Sequence, residues 1–157
     1  DESTEGNFVE IQEVITGVRT VRAEMNVPPG MRADLLIRSN NGQSLKLNEQ
    51  LICDLAKVDD LTIEPDVERP DKSATVVVGK KELFIPLGDL IDVETEKKRL
   101  TEKIESLDER LSSVAAKLNN QDFVSRAPKE VVDRERKKLR DMKENLAKLK
   151  QNYTYLE

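Results

Sequence analysis

Lys117-Leu118-Asn119-Asn120-Gln121-Asp122-Phe123-Val124-Ser125-Arg126-Ala127-Pro128 is a mostly polar interruption between two apolar repeats, and the reading of the fold turns on it. Before it, Val93, Leu100, Ile104, Leu107, Leu111, Val114 and Leu118 recur at alternating steps of three and four, with Lys97 filling one slot. After it, Val132, Leu139, Met142, Leu146, Leu149, Tyr153 and Leu156 do the same, with Glu135 as the polar intruder. Seven-residue repetition keeps one apolar seam facing a partner helix. So short a connection makes that partner the next helix of the same chain, running back antiparallel. Residues 92–157 are therefore expected to form a coiled-coil arm. At 1.5 Å per residue, its first helix reaches roughly 40 Å.

Folding the chain back at this interruption sets Val114 against Val132, Leu107 against Leu139, Ile104 against Met142 and Leu100 against Leu146. On one flank of the seam Asp108 then faces Arg136. On the other, Lys103, Arg110 and Lys117 repeat every seven residues, opposed by Asn145, Lys138 and Val131. Arg110 beside Lys138 is a like-charge pair with no carboxylate in register. Two readings of this edge stand. It is a solvated flank whose charges find acids at neighbouring positions, or a track that neutralises phosphates. At the tip, Phe123 lies among Lys117, Arg126 and Lys129. It either folds inward with Val124 to close the hairpin or presents a ring on which an unpaired base stacks. Asn119 and Asn120 read first as helix-ending residues.

Working outward, Phe8, Ile11, Val14, Ile15, Val18, Val21, Arg22 and Met25 follow a helical period, predicting a helix over residues 8–26. Asn26 and Pro28-Pro29 stop it. Ala33, Leu35 and Ile37 alternate with Asp34, Leu36 and Arg38 as a strand does. Ser39-Asn40-Asn41-Gly42 is a turn with residues suited to positive φ, and Leu45 to Ala56 suggests one helix over about residues 43–57. A strand over residues 61–64 follows, then a hairpin of residues 75–78 and 82–85 turned at Gly79-Lys80-Lys81. The class is α+β: the end of a helical domain (1–30), a small module of about four strands and one helix (31–91), and the two-helix arm (92–157). A module so small has a marginal core and must lean on its neighbours.

Composition narrows the function. Residues 1–92 hold 10 Lys and Arg against 18 Asp and Glu, and residues 93–157 hold 16 against 13, so −8 and +3 make the net −5. An acidic body with a basic arm points to a polyanionic partner for the arm. There is no histidine, which removes imidazole acid–base catalysis and His-containing metal sites. The lone Cys53 sits among Leu51, Ile52 and Leu55, reads as an inert buried thiol and suits a reducing, cytoplasmic setting. The glycines never gather into a phosphate loop, and Asp59-Asp60 with the acids of residues 64–71 lack the loop spacing of a cation site. No apolar run approaches a membrane span, so no membrane partner is expected. No active site, cofactor or metal is expected in this chain, which binds or positions something. Its start at Asp1, without a methionine, suggests excision from a longer protein.

Specific residues carry a resemblance. Val18-Arg19-Thr20-Val21-Arg22-Ala23-Glu24-Met25-Asn26-Val27-Pro28-Pro29-Gly30 resembles the last anticodon-binding helix of class I aminoacyl-tRNA synthetases of the valine, isoleucine and leucine group. Ile85-Pro86-Leu87, Glu96, Arg99-Leu100, Lys117-Leu118-Asn119-Asn120, Phe123-Val124 and Ala127-Pro128 resemble the carboxy-terminal hairpin of the valyl-tRNA synthetases. The resemblance runs from about Val9 to Glu157. The family's HIGH and KMSKS catalytic signatures and its editing domain are absent from the chain. The family implies an ATP-dependent parent that charges tRNA(Val) with valine and edits mischarged tRNA. It also implies a hairpin leaning on the outer corner of that tRNA, in a chain expected to be monomeric. The residues then expected to meet tRNA are Lys103, Arg110, Lys117, Lys138, Arg126 and Phe123. Arg19 and Arg22 either pair with acids inside the helical bundle or face the anticodon stem. The rival from another class is a structural or protein-interaction hairpin with no nucleic-acid role; a third is an arm that exchanges its second helix between chains.

Overall fold

The computed structural model describes residues 2–157, with side chains from residue 5 onward. Its elements run α1 (Glu2–Glu24), β1 (Ala33–Arg38), α2 (Gln43–Leu47), α3 (Glu49–Ala56), β2 (Val58–Glu64), β3 (Ser73–Val78), β4 (Lys81–Pro86), α4 (Val93–Asn119), α5 (Gln121–Arg126) and α6 (Lys129–Tyr155). They form two compact units, one of Asp1–Glu96 with Tyr155–Glu157, the other of Lys97–Thr154. The α+β class expected from the sequence is the observed one.

In the first unit, β1 and β2 are parallel and joined through α2 and α3, while β3 and β4 form a hairpin whose second strand runs antiparallel to β1. The sheet order is β2-β1-β4-β3. Strand side chains alternate between faces, so Ala33, Leu35 and Ile37 share one face with Leu83 and Ile85. All five are fully buried. Helices α1 and α3 pack on this unit through Ile11, Val14, Val18, Ile52 and Ala56, each buried. On the other face Arg38 stands in for a helix: its guanidinium lies 5.1 Å from the Phe84 ring centre, pairs with Glu82 at 3.0 Å and donates to the Val67 carbonyl at 2.7 Å. The end of the chain returns here, with Leu156 buried and Tyr155 Oη donating to the Thr75 carbonyl at 3.0 Å.

Several local expectations change. α1 begins well before residue 8, yet residues 5–9 are all exposed, so Phe8 lies off the core although it shares the apolar period. Glu10, next in the helix, pairs with Lys81 Nζ at 2.8 Å. Val14 and Val18, by contrast, are packed fully against the α+β unit. α1 closes in a Schellman arrangement: Asn26 takes φ +56°, with Val27 N bonded to Arg22 O at 2.9 Å and Asn26 N to Ala23 O at 3.4 Å.

The single helix expected over residues 43–57 is two, broken at Asn48, whose φ of −113° leaves the helical range and whose side-chain amide donates to Ser44 O. The Ser39–Gly42 turn needs no positive φ. Gly42 (φ −99°) is required instead because a Cβ there would strike the Ile63 side chain. β2 starts three residues earlier than expected, directly after Lys57. The hairpin turn is two residues rather than three, with Gly79 at φ +60° in the first central place, as a type II′ turn favours.

Candidate nucleic-acid interface

The second unit is built from α4, α5 and α6. Its seam is the one the heptads specify: Leu100, Val114, Val132, Met142 and Leu146 are buried, and Ile104, Leu107, Leu111, Leu118, Leu139 and Leu149 are half-buried. α4 is started by Asp92, whose carboxylate accepts from Thr95 N at 3.1 Å.

The connection is not a bare loop. Asn120 accepts from Asp122 N at 3.0 Å and Phe123 N at 3.4 Å, so it opens the short helix α5 rather than ending α4. Ala127, extended at ψ 147°, then releases the chain into Pro128 and α6.

Two side-chain contacts cross the hairpin. The sequence register places Lys97 opposite Leu149 and Lys117 opposite Val131. The Lys97 ammonium lies 5.5 Å from the Tyr153 ring centre, and Lys117 Nζ lies 3.8 Å from Glu135 Oε1. Each partner is four positions farther along α6. A lysine side chain leaning toward the N-terminus of α4 spans that one turn, so both contacts are compatible with the heptad register. Each polar intruder gains a partner: the aromatic face attracts the cation, and Lys117 meets the half-buried carboxylate.

The predicted site residues therefore divide. Lys103, Arg110 and Lys138 are exposed along α4 and α6, and Arg126 is exposed at the end of α5. Among the described residues no carboxylate lies within ion-pair distance of any of these four. Lys117 is different: besides Glu135, its ammonium rests 4.8 Å from the Phe123 ring centre. Phe123 and Val124 are half-buried. The tip is thus a joined Lys117–Phe123 pair rather than a lone protruding ring.

On the opposite flank Asp108 does not take Arg136, which pairs at 3.9 Å with Asp133 of its own helix. Arg140 and Lys143 follow on that edge, exposed. The sequence signal for this second basic row was present: Arg136, Arg140 and Lys143 recur at the same three-four spacing.

Arg19 and Arg22 belong to the first unit, and their hydrogen bonds go to main-chain carbonyls rather than to acids. Arg19 Nε donates to Leu55 O at 2.9 Å, and Arg22 donates to Pro28 O at 3.1 Å and Met31 O at 2.6 Å. Among the described residues no helix is long and apolar enough to cross a membrane.

Comparison with known proteins follows the same division. Residues 92–157 match the family described as the valyl tRNA synthetase tRNA binding arm. Valine–tRNA ligase of Syntrophotalea carbinolica is 40% identical over 144 residues, 90% of this chain and 16% of that protein. The Geobacter sulfurreducens enzyme is 39% identical over 84% of this chain and 15% of its own length. The Thermotoga maritima enzyme is 36% identical over 95% of this chain and 17% of its own. The chain spans about 16% of the length of the curated relatives it matches. It is thus homologous along most of its length to a segment of valine–tRNA ligases, and its α4–α6 hairpin belongs to the valyl-tRNA synthetase tRNA-binding-arm family.

Proposed function

We propose that the hairpin holds tRNA(Val) by its sugar-phosphate backbone, adding affinity without reading sequence. The observation that carries this is the set of exposed cations, Lys103, Arg110, Lys138 and Arg126, which have no carboxylate partner among the described residues, on a hairpin of the tRNA-binding-arm family. Cations already matched to acids gain little from a phosphate; bare ones release the polyanion's counterions. Lys117 and Phe123 act together at the tip, the ring steadying the ammonium at 4.8 Å. In this reading the chain is a non-catalytic part of a cytoplasmic, monomeric enzyme. The longer protein supplies the ATP-dependent aminoacylation and editing, and this segment binds no cofactor of its own.

The test is a titration of labelled tRNA(Val) with the full chain at several salt concentrations. Three or four neutralised phosphates give a slope of log affinity against log salt of about −3. Replacing Lys103, Arg110 and Lys138 together by Glu should weaken binding at least about tenfold with helicity unchanged. A salt-independent affinity, or an unaffected triple variant, would remove the electrostatic account. It would favour the alternative of a structural or protein-interaction hairpin.

A further inference from the structure

The first unit carries a net negative charge, yet one cavity in it is lined by three cations and no carboxylate. It has a volume of about 350 Å³ and lies between the C-terminal ends of α1 and α3, with Arg19, Arg22 and Lys57 around it and Pro29, Leu55 and Ala56 completing the wall. Arg19 and Arg22 reach it together because residues three apart share a helix face.

Each cation is oriented by a neutral acceptor that leaves its charge intact. Arg19 Nε is fixed to Leu55 O and Lys57 Nζ to Pro29 O at 2.7 Å, while Arg22 bonds two carbonyls through one nitrogen. These bonds occupy few of the available donors, since a guanidinium has five N–H groups and an ammonium three. Arg22 is only 8% exposed, and its other terminal nitrogen, NH1, is buried with no acceptor. A buried donor without a partner is costly, and a charged one more so. Burial first, and the neighbouring Arg32 second, lower the pKa of Arg22 from its ordinary value. Positive charge is in excess here, which an oxyanion would relieve.

We infer that this cavity is a binding site for a phosphate group, held by the exposed Arg19 guanidinium and Lys57 ammonium, with the buried charge of Arg22 behind them adding to the attraction. Phosphate fits the arrangement because its tetrahedral oxygens accept paired N–H bonds from guanidinium forks. The group comes either from a nucleic-acid backbone or from free phosphate. The inference does not depend on the hairpin's role, since no residue of α4–α6 lines the cavity.

The test uses the full chain, with arginine side-chain Nε resonances followed by NMR. Inorganic phosphate is added at constant ionic strength, with chloride as the reference anion. Arg19 and Arg22 signals should shift saturably with phosphate and not with chloride. The double variant Arg19→Gln, Lys57→Gln alters two exposed side chains and should weaken the apparent phosphate affinity about tenfold. Adding a short RNA duplex to the phosphate-free chain separates the sources. Saturable shifts of the Arg19 signal with RNA assign the site to a phosphodiester, and a signal unmoved by RNA but shifted by phosphate assigns it to free phosphate. Shifts that are absent, that fail to saturate, or that chloride reproduces would overturn the inference. So would equal affinity in a double variant that melts like the parent. Should that variant melt differently, the phosphate–chloride contrast in the unaltered chain decides alone.

Discussion

The two units use the same residue type in opposite ways. In the first, Arg19, Arg22, Arg32, Arg38 and Arg69 each donate to a main-chain carbonyl. In the second, Arg110, Arg126 and Arg140 are exposed and fastened to nothing among the described residues. The cause is what the backbone leaves over. Strand ends, loops and helix termini present carbonyls with no intra-element partner, and a long flexible donor satisfies them. A continuous helix of 27 residues, such as α4 or α6, spends almost all its carbonyls on itself. Arginine becomes a brace in the first setting, with donors to spare at Arg19, while Arg110, Arg126 and Arg140 in the second carry exposed charge that no main-chain group has claimed.

The cores differ in the same direction, and their energetics offer the strongest way to break the comparison. Leu35 is fully buried in the sheet, whereas Leu107 is half-buried in the hairpin seam. Leu35→Ala should cost about 2–5 kcal/mol in urea unfolding, and Leu107→Ala about 1 kcal/mol. Equal costs would mean that the hairpin is packed as tightly as the sheet.

The arginine contrast itself is tested next. Arg38→Met keeps an apolar cover over Phe84 but orphans the Val67 carbonyl and breaks the Glu82 pair. A loss of about 1–3 kcal/mol is expected. Arg110→Met removes only a solvated charge and should stay within about 0.5 kcal/mol of the parent. Chemical denaturation of the two variants in parallel reads both numbers.

The smallest effect concerns Cys53. Burial, with Glu49 as the next cause, raises its thiol pKa above the ordinary value. The folded state therefore resists ionisation more than the unfolded chain. That contribution is complete below the unfolded thiol pKa of about 8.5, and it declines as pH rises through the folded value. Stability should accordingly slope downward above about pH 8.5, and Cys53→Ala should flatten the slope. A slope unchanged in Cys53→Ala would assign it to other groups.

Much of this architecture was legible in residue patterns. The alternation of residues 33–38, the glycine turn before β4, the Asn26-Pro28 stop and the two heptad runs each depend on neighbours within a few positions. The breaks at Asn48 and Asn120 were harder, because asparagine serves equally as helix end, helix start and turn. The candidate site was half legible. The cationic row of Lys103, Arg110 and Lys138 is in the sequence, but the partners of Lys117 and Arg136 depend on register and on competing acids.

By itself, then, the sequence determined the kinds of elements, the antiparallel hairpin and the excess of cations along it, because local periodicity encodes which face of each helix or strand is apolar. Tertiary structure alone decided where the Lys97 and Lys117 side chains reach on α6, which cations were matched and which left bare, and the gathering of Arg19, Arg22 and Lys57 around one cavity. Those outcomes depend on which distant groups come within a few ångströms of one another. Interaction energies that change so steeply with distance have no counterpart in the order of residues along the chain.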